Sequence, residues 1–204
     1  MLFDDTYLTI SCAAEGLFRD RGSKFLAYAY PIRSEQEIKP IIAQLKAEHP
    51  KAVHHCWAMR LSPDRSVFRV NDDGEPSGTA GRPILNVLLS KNLTNILVVV
   101  VRYFGGTLLG VPGLINAYKT ATEEALNQTK AVEQTVKDVY KISFDYLQMN
   151  DVMKVIKDDQ INVMEQQFDN NCVVTIAIRK ADLNRVIGKL EGISAVKTHY
   201  LYTA

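Results

Sequence analysis

The chain has 204 residues, enough for one large domain or two small ones, and we adopt two as the working number. Hydrophobic residues at 47% and charged residues at 23% are typical of a folded globular protein and exclude a disordered chain. The formal net charge of +1 excludes a uniformly basic nucleic-acid-binding protein, so any affinity for phosphates must come from a local patch.

The first third of the chain combines strand and helix signals. Ser34 is followed three residues later by Glu37, a capping-box pattern, and isoleucines and a leucine then recur at helical spacing. Pro40 would cost about 3 kcal/mol inside a helix, so we expect this helix to be kinked or to begin later than the cap suggests. Short strands forming a meander are predicted before it, at Tyr7–Cys12, Gly16–Arg21 and Lys24–Pro31.

A polar loop rich in turn residues interrupts the middle of the chain. It spans Asn71–Pro83, reads NDDGEPSGTAGRP and contains three acids and three glycines. Strands are expected to lead into it, and a valine-rich strand buried on both faces is expected after it. The predicted elements are strands at 53–59 and 66–70, a buried helix at 84–92, a central strand at 95–102 and an amphipathic helix from about 111 to 130.

The last third of the chain predicts a separate small domain. We interpret 127–135 as the end of the preceding helix plus a linker. Beyond it the predicted order is strand, helix, strand, strand, helix, strand, with a turn at 169–171, and this order is the split βαβ pattern of ferredoxin-like domains. The sequence therefore predicts an α+β protein with domains at 1–131 and 136–204, the second a packing or docking module.

Cysteine usage and hydropathy indicate a cellular compartment. Cys12, Cys56 and Cys172 are far apart and odd in number, so neither a disulfide framework nor a CxxC pair is available. Residues 1–10 carry acids where a secretory signal peptide needs positive charge, and the apolar run Ile96–Val101 is far shorter than the roughly 20 residues of a membrane span. We expect a cytoplasmic protein that binds no membrane.

Three acids in the polar loop are candidates for binding a cation. Asp72, Asp73 and Gly74 favour a tight turn and Pro76 fixes the next bend, so a structural role alone would explain them. Asp72, Asp73 and Glu75 also concentrate negative charge, which would suit either a divalent cation such as Mg²⁺ or a cationic group of a partner. Their spacing is not that of an EF-hand loop, so a well-made turn is the favoured interpretation and no cofactor is expected.

The second half of the same loop has the features of an anion site. Residues 77–82 are small and flexible, with backbone N–H groups, the hydroxyls of Ser77 and Thr79, and the guanidinium of Arg82 just before a predicted helix. Proteins cradle anions with this combination. We expect a phosphate or another anion to bind here.

A similar combination follows the central strand, where Arg102 and Tyr103 precede Gly105 and Gly106. Ligands of open α/β sheets lie at such strand ends. Arginine, aromatic rings and open backbone suit contacts with RNA, whereas sheet-to-loop geometry would explain the glycines and a surface ion pair the arginine. The segment lacks the GK[ST] of a P-loop and the spacing of GxGxxG.

The adjacent histidines His54 and His55 lie on a predicted strand and therefore face opposite sides of a sheet. At most one can reach the loops, and we assign His55 to the cleft. No HExxH or CxxC accompanies them, which favours a hydrogen-bonded structural histidine. Ser77 has no GxSxG elbow and Cys56 has no evident partner beyond His55, so nucleophilic catalysis is not predicted.

Four stretches combine into a pattern more specific than any single glycine motif. They are GSKF at 22–25, AEHPKAVHHCWA at 47–58, DDGEPSGTAGRP at 72–83 and VVVRYFGGTLLGVPGLINAY at 99–118. Together they span most of residues 16–130 and resemble the bacterial, YigZ-type members of the IMPACT family. One departure is Val111-Pro112, where a further glycine is common, and this would stiffen the entry to the following helix.

The resemblance implies a first domain that is a β/α sandwich like the second domain of a small-subunit ribosomal protein. It implies a ferredoxin-like second domain, the two being similar to adjacent domains of elongation factor G. Eukaryotic IMPACT proteins are translation regulators, so the resemblance implies an association with translation or RNA by analogy of fold. The residues that we assign to the cleft are Asp72, Asp73, Glu75, Ser77, Thr79, Arg82, Arg102, Tyr103, Gly105, Gly106 and His55.

Three hypotheses follow. In the first, the polar cleft contacts RNA backbone, the ribosome or a translation factor, and binding depends on Arg82 and Arg102. In the second, the protein is an enzyme acting on a phosphorylated small molecule, with Mg²⁺ on Asp72, Asp73 or Glu75. In the third, the second domain is a protein-docking surface and the loops are structural. DNA is not a predicted partner, and the residues favour no particular oligomeric state.

Overall fold

The computed structural model describes residues 5–168 and 172–203, and the turn predicted at 169–171 lies outside the described residues. The described chain divides into two compact units. One comprises residues 7–134, and the other comprises residues 5–6, 135–168 and 172–203. None of the helices in these residues is both long and apolar enough to cross a membrane.

The first unit alternates strands and helices. In chain order these are β1 (Thr6–Ile10), β2 (Ala14–Asp20), β3 (Ser23–Pro31), α1 (Ile38–Glu48), β4 (His54–Leu61), β5 (Val67–Asn71), α2 (Gly81–Ser90), β6 (Ile96–Tyr103), α3 (Gly110–Asn127) and β7 (Ala131–Thr135). Five strands form an antiparallel sheet in the order β2-β3-β6-β4-β5. The remaining two, β1 and β7, pair with each other.

The central strand β6 separates two layers of core. Val98 and Val100 pack with residues of α2 and α3, whereas Val99 and Val101 pack with residues of α1. The prediction of a central strand buried on both faces is confirmed. Both neighbours of β6 run antiparallel to it, so the analogy with ligand sites at the strand ends of open α/β sheets does not support a site after β6.

Helix α1 begins later than its capping residues, as Pro40 predicted. A turn of 3-10 helix spans Glu35–Glu37, and the Glu37 carboxylate accepts a hydrogen bond of 2.8 Å from the backbone N–H of Ser34. The α-helix begins at Ile38, which puts Pro40 in its first turn. The missing N–H of proline loses no intrahelical hydrogen bond there.

Two predictions about the ends of this unit were wrong. Strand β1 does not join a meander with β2 and β3, because it pairs with β7. The segment interpreted as a linker contains β7 itself, and the N–H of Ser11 donates to the carbonyl of Lys130 at 3.0 Å beside this pair. The sequence AVEQT is largely exposed and lacks an apolar alternation, so its pattern did not indicate a strand.

The second unit contains β8 (Lys137–Phe144), α4 (Met149–Asp158), β9 (Asn162–Phe168), β10 (Cys172–Arg179), α5 (Leu183–Glu191) and β11 (Lys197–Thr203). This is the predicted order of strands and helices. The sheet is antiparallel with the order β11-β8-β10-β9. One core joins Ile142 and Val174 of the sheet to Val152 and Val186 of the helices.

Candidate functional site

Asp72, the first acid of the polar loop between β5 and α2, holds the loop closed by accepting hydrogen bonds from its backbone. One carboxylate oxygen of Asp72 accepts a hydrogen bond of 2.8 Å from the N–H of Gly78. The other accepts hydrogen bonds from the N–H groups of Ala80 at 3.1 Å and Gly81 at 2.8 Å. These are the backbone groups expected to cradle an external anion. That expectation was wrong for them, since the carboxylate of Asp72 occupies their donors.

Asp73 fastens the same loop to the start of β4. Its carboxylate accepts a hydrogen bond of 2.7 Å from the N–H of His55, and its carbonyl lies 2.8 Å from Nδ1 of His54. A carbonyl only accepts, so Nδ1 of His54 carries the proton, and Nε2 of the neutral ring is left without one. The loop and β4 therefore hold the His54 ring in one orientation.

Glu75 is the acid that turns inward. Its Oε1 accepts a hydrogen bond of 2.5 Å from Nη1 of Arg102 on β6 and one of 2.8 Å from the hydroxyl of Tyr118 on α3. The side chains of Glu75 and Arg102 are 3% and 6% exposed. Nε2 of His54 lies 3.9 Å from the same oxygen. The loop, the central strand and α3 thus meet at one buried carboxylate.

The thiol of Cys56 completes this buried network. Sγ of Cys56 lies 3.0 Å from the carbonyl of Asp72 and 3.3 Å from the hydroxyl of Tyr118. Burial raises the pKa of the Cys56 thiol and of the Tyr118 phenol. Both groups therefore stay protonated and remain donors at neutral pH. A buried thiol of raised pKa is a poor nucleophile.

Arg102 is not available for an external phosphate. Its guanidinium pairs with Glu75 and lies 5.4 Å from the ring centroid of Phe25 and 5.7 Å from that of Phe104. Its Nε is buried and makes no hydrogen bond within the described part of the chain. The alternative of a surface ion pair was wrong, because the pair is buried. Contact between this segment and RNA stays a prediction, but the paired guanidinium of Arg102 gives it no support.

The three loop acids do not converge on one point. Asp72 accepts from backbone N–H groups, Asp73 from the N–H of His55, and Glu75 from Arg102 and Tyr118. No three histidine, cysteine or acidic side chains of the described residues are arranged to hold a metal ion. The turn interpretation explains Asp72 and Asp73, and the geometry gives the Mg²⁺ hypothesis no support.

Beside the buried carboxylate lies a concavity of about 410 Å³, which we call the apolar groove. Its polar floor consists of His54, Glu75 and Arg102. Its rim is apolar and open to solvent: Leu108 is 81% exposed, Val111 51% and Phe104 48%. The remaining lining residues are Val53, Pro76, Leu109, Gly110 and Leu114. Exposed apolar side chains grouped in this way mark binding surfaces.

The two histidines of β4 face opposite sides of the sheet, as expected, but the wrong one was assigned to the cleft. His54 pairs with Arg102 across the sheet and lines the apolar groove. His55 pairs with Val101, and its ring is buried on the α1 side with Nε2 lacking a hydrogen bond in the described structure. Burial, the larger effect, lowers the pKa of His55, although the carboxylate of Asp73 opposes this shift.

The other predicted loop residues do not gather at the apolar groove. The hydroxyl of Thr79 is bonded to the carbonyl of Pro76 at 2.6 Å, so it is not free for a ligand. Ser77 and Arg82 are exposed, and neither lines the apolar groove. Of the predicted cleft, only Glu75 and Arg102 meet at this groove.

The glycines after β6 serve the fold. A Cβ on Gly105 would lie 2.0 Å from the carbonyl carbon of Gly22, so the two loops approach too closely for any side chain. The N–H of Gly105 donates to the hydroxyl of Ser23 at 3.1 Å. Gly106 has a φ of 86°, which favours glycine. Tyr103, next in the predicted set, faces the α1 side of the sheet.

Sequence reasoning did not assign to the site four residues that line the apolar groove, His54, Phe104, Leu108 and Val111, nor the buried Tyr118 that donates to Glu75. The usable signal was the run FGGTLLGVPG, which places large apolar residues in a glycine-rich loop. Such residues either pack into a core or bind a partner. Tyr118 gave no such signal, because it reads as an ordinary core position of an amphipathic helix.

Comparisons with known proteins identify relatives of the chain. The Impact N-terminal domain family model matches residues 21–126. The IMPACT family member YvyE of Bacillus subtilis is 32% identical over 88% of this chain and 82% of its own length. YigZ of Escherichia coli is 30% identical over 84% of this chain and 85% of its own. A crystal structure of a hypothetical protein, 27% identical, aligns with a TM-score of 0.74 over 97% of this chain and 98% of that one.

Proposed function

The chain belongs to the IMPACT family, and from that premise we propose that it is a cytoplasmic, translation-associated regulatory protein. It binds a protein of the ribosome or a translation factor through the apolar groove. Family membership supports the link to translation, because eukaryotic IMPACT proteins are translation regulators. The groove supports the mode of binding, because it joins two of the stretches that carry the family resemblance, DDGEPSGTAGRP and RYFGGTLLGVPG.

The exposed rim of the apolar groove is the observation that carries this proposal. Leu108 stands 81% exposed beside Val111 and Phe104, although an isolated protein gains nothing by leaving large apolar side chains in water. A partner protein that covers them removes apolar surface from both molecules. The polar floor places the ring of His54 and the carboxylate of Glu75 within reach of a polar group of that partner.

The chemistry of the apolar groove favours a protein partner over RNA backbone. Binding of phosphates needs cations that displace the counterions of the nucleic acid. Among the described residues that line this groove, Arg102 is the one arginine or lysine, and Glu75 neutralises it. Aromatic and aliphatic side chains at the centre of a concave patch are typical of protein interfaces. We therefore assign the ribosomal contact of this groove to an apolar side chain of a protein.

Analogy of fold adds a weaker argument. We propose that the first unit is like the second domain of a small-subunit ribosomal protein and that the second unit is ferredoxin-like, as in elongation factor G. The observed order of elements in the second unit is compatible with this proposal. Both parent folds are used on the ribosome, but a fold hosts many functions, so the assignment depends on the site.

The alternative of a metal-dependent enzyme acting on a phosphorylated small molecule has less support. Its three carboxylates are each engaged with groups of the protein. The alternative in which only the second unit docks a partner leaves the exposed rim of the apolar groove without a role.

Co-sedimentation with purified, salt-washed ribosomes tests the proposal. We expect the protein to sediment with ribosomes, and Leu108→Ser to weaken the association at least tenfold, because the partner would cover this apolar side chain. Phe68→Ser is the matched control, because Phe68 is 52% exposed and lies outside the groove. Failure of the wild-type protein to sediment at low salt, with salt-washed ribosomes and again with ribosomes that retain their translation factors, would contradict the proposal. Equal loss in the two variants would contradict the role of the apolar groove.

A further inference from the structure

The α1 side of the five-stranded sheet carries a second concavity, of about 480 Å³, which we call the donor pocket. Its polar lining comes from Arg19 on β2, Lys24 and Tyr103 on the neighbouring strands, and His49 after α1. Phe104 is the one residue that it shares with the apolar groove. The proposed function gives the donor pocket no role.

Two cations lie side by side at the edge of this pocket. Arg19 and Lys24 are directly opposite each other on the antiparallel pair β2-β3. Both are exposed, and neither forms an ion pair or a side-chain hydrogen bond with any of the residues that the structure describes. Like charges in this position destabilise a sheet. Glu15, the acid on the same face of β2, lies further along, opposite Tyr28.

The hydrogen bonds of His49 determine what Tyr103 presents to the pocket. Nε2 of His49 lies 2.8 Å from the hydroxyl of Tyr28, and Nδ1 lies 2.9 Å from the hydroxyl of Tyr103. Tyr28 is 8% exposed, and His49 is the one acceptor that the described residues offer its hydroxyl. A buried hydroxyl must donate to the acceptor it has, so Nε2 accepts and Nδ1 of the neutral ring carries the proton.

The proton of the Tyr103 hydroxyl is therefore free. Nδ1 of His49 donates to the oxygen of Tyr103, which leaves the O–H of Tyr103 to donate into the pocket that it lines. Tyr28 keeps its proton throughout the neutral range, because burial, the largest cause, raises its pKa to about 12. The pocket thus presents a guanidinium, an ammonium and a hydroxyl, all of which donate.

We propose that the donor pocket binds the phosphate group of a nucleotide. Arg19, Lys24 and the hydroxyl of Tyr103 hold the phosphate, and the base stacks on Phe104, whose ring is 48% exposed at the end of the pocket. A cluster of donors next to an exposed aromatic ring is the combination with which proteins bind single strands. A free mononucleotide and a strand of RNA carry the same chemistry, and the bound phosphate neutralises the like-charged pair.

Titration of the full-length protein with three probes tests this site: inorganic phosphate, UMP, and a fluorescent single-stranded oligouridylate of about eight nucleotides. The test variant is Arg19→Gln/Lys24→Gln. Its control is Lys91→Gln/Lys130→Gln, which removes the same charge from exposed lysines of the same unit that line neither concavity. We expect at least tenfold weaker binding in the test variant and unchanged binding in the control. For the oligonucleotide, the slope of log K against log salt should become shallower by about 1.4, the value for two lost contacts.

The probes also separate the sources of the phosphate. Tighter binding of the oligonucleotide than of UMP, with a steeper salt dependence, assigns the site to an RNA strand, and equal binding assigns it to a free nucleotide. Equal affinity for UMP and inorganic phosphate would overturn the assignment to a nucleotide. Binding of neither UMP nor the oligonucleotide, or equal loss in the control, would overturn the site.

A second variant guards against simple misfolding. Arg19→Glu places an acid opposite Lys24, so we expect it to raise the urea midpoint while it abolishes binding. A variant that binds like the wild type would contradict the proposal. Leu108→Ser should weaken docking and leave nucleotide binding unchanged. The nucleotide site and the docking function can therefore be refuted independently of each other.

Discussion

Glu75 and Arg102, 27 residues apart in the chain, form an ion pair whose side chains are 3% and 6% exposed. The pair joins the polar loop to the central strand, and Tyr118 joins both to α3 through the same carboxylate oxygen. Since burial of one charge without the other is costly, the pair ties the position of the loop to the rest of the first unit. The floor of the apolar groove is therefore fixed before a partner arrives.

Substitution of either member of this pair should destabilise the first unit strongly. Glu75→Ala or Arg102→Ala leaves an uncompensated buried charge, which costs about 3–5 kcal/mol. Trp57, the one tryptophan of the chain, lies on β4 and reports unfolding of this unit in urea. The double variant Glu75→Met/Arg102→Met should lower the free energy of unfolding by much less than the sum of the decreases caused by Glu75→Ala and Arg102→Ala. Additive losses would show that the two side chains are not coupled.

Asp72→Ala should also destabilise the first unit, through the polar loop. Removal of the carboxylate deprives the N–H groups of Gly78, Ala80 and Gly81 of their acceptor, at a cost of about 1–3 kcal/mol for buried donors. Ser77→Ala in the same loop removes an exposed hydroxyl and should change stability by less than about 0.5 kcal/mol. Urea midpoints compare the two, and similar values would refute the role given to Asp72.

The buried His55 should make the stability of the first unit depend on pH. Burial lowers the pKa of His55 from its ordinary value of 6.5, so the unfolded chain takes up a proton at a higher pH than the folded chain does. The stabilisation is therefore complete above the ordinary pKa and is lost as the pH falls through it towards the lowered value. His55→Asn should make the urea midpoint change less with pH between about pH 7 and about pH 5. An unchanged slope would contradict this assignment.

Gly105→Ala should test the close approach of two loops. The new Cβ would lie 2.0 Å from the carbonyl carbon of Gly22, so the backbone must move, and we expect a loss of about 3 kcal/mol. Gly106→Ala is the control, because Gly106 has a φ of 86° and open space around it. Gly106→Ala should lower the free energy of unfolding by only about 1 kcal/mol, because alanine is strained in this backbone conformation. The reverse order of the two losses would show that the approach is not tight.

Local patterns predicted the elements whose character is set by their own residues. The valines of β6 indicated a strand buried on both faces, and Pro40 indicated the late start of α1. Strand β7 was missed because its exposed residues pair only with β1, which lies more than 120 residues earlier in the chain. Pairing over such a distance leaves no signal in a short window of sequence.

The candidate site was predicted less well because its chemistry depends on tertiary contacts. The spacing of Asp72, Asp73 and Glu75 does not reveal which of them turns inward, since this depends on where Arg102 and Tyr118 lie. The alternation of His54 and His55 was correct, but the face that each occupies follows from the pairing of β4 with β6. Whether Leu108 packs or stays exposed is likewise decided by its surroundings.

The measurement that tests the central claim most directly is the dissociation constant for purified ribosomes, measured by fluorescence anisotropy. A dye on Cys12 suits this measurement, because Cys12 is exposed whereas Cys56 and Cys172 are buried. Wild type and Phe68→Ser should bind with the same affinity, and Leu108→Ser should bind at least tenfold more weakly. Equal affinity of Leu108→Ser and wild type would contradict the claim that the apolar groove is where a translation partner binds.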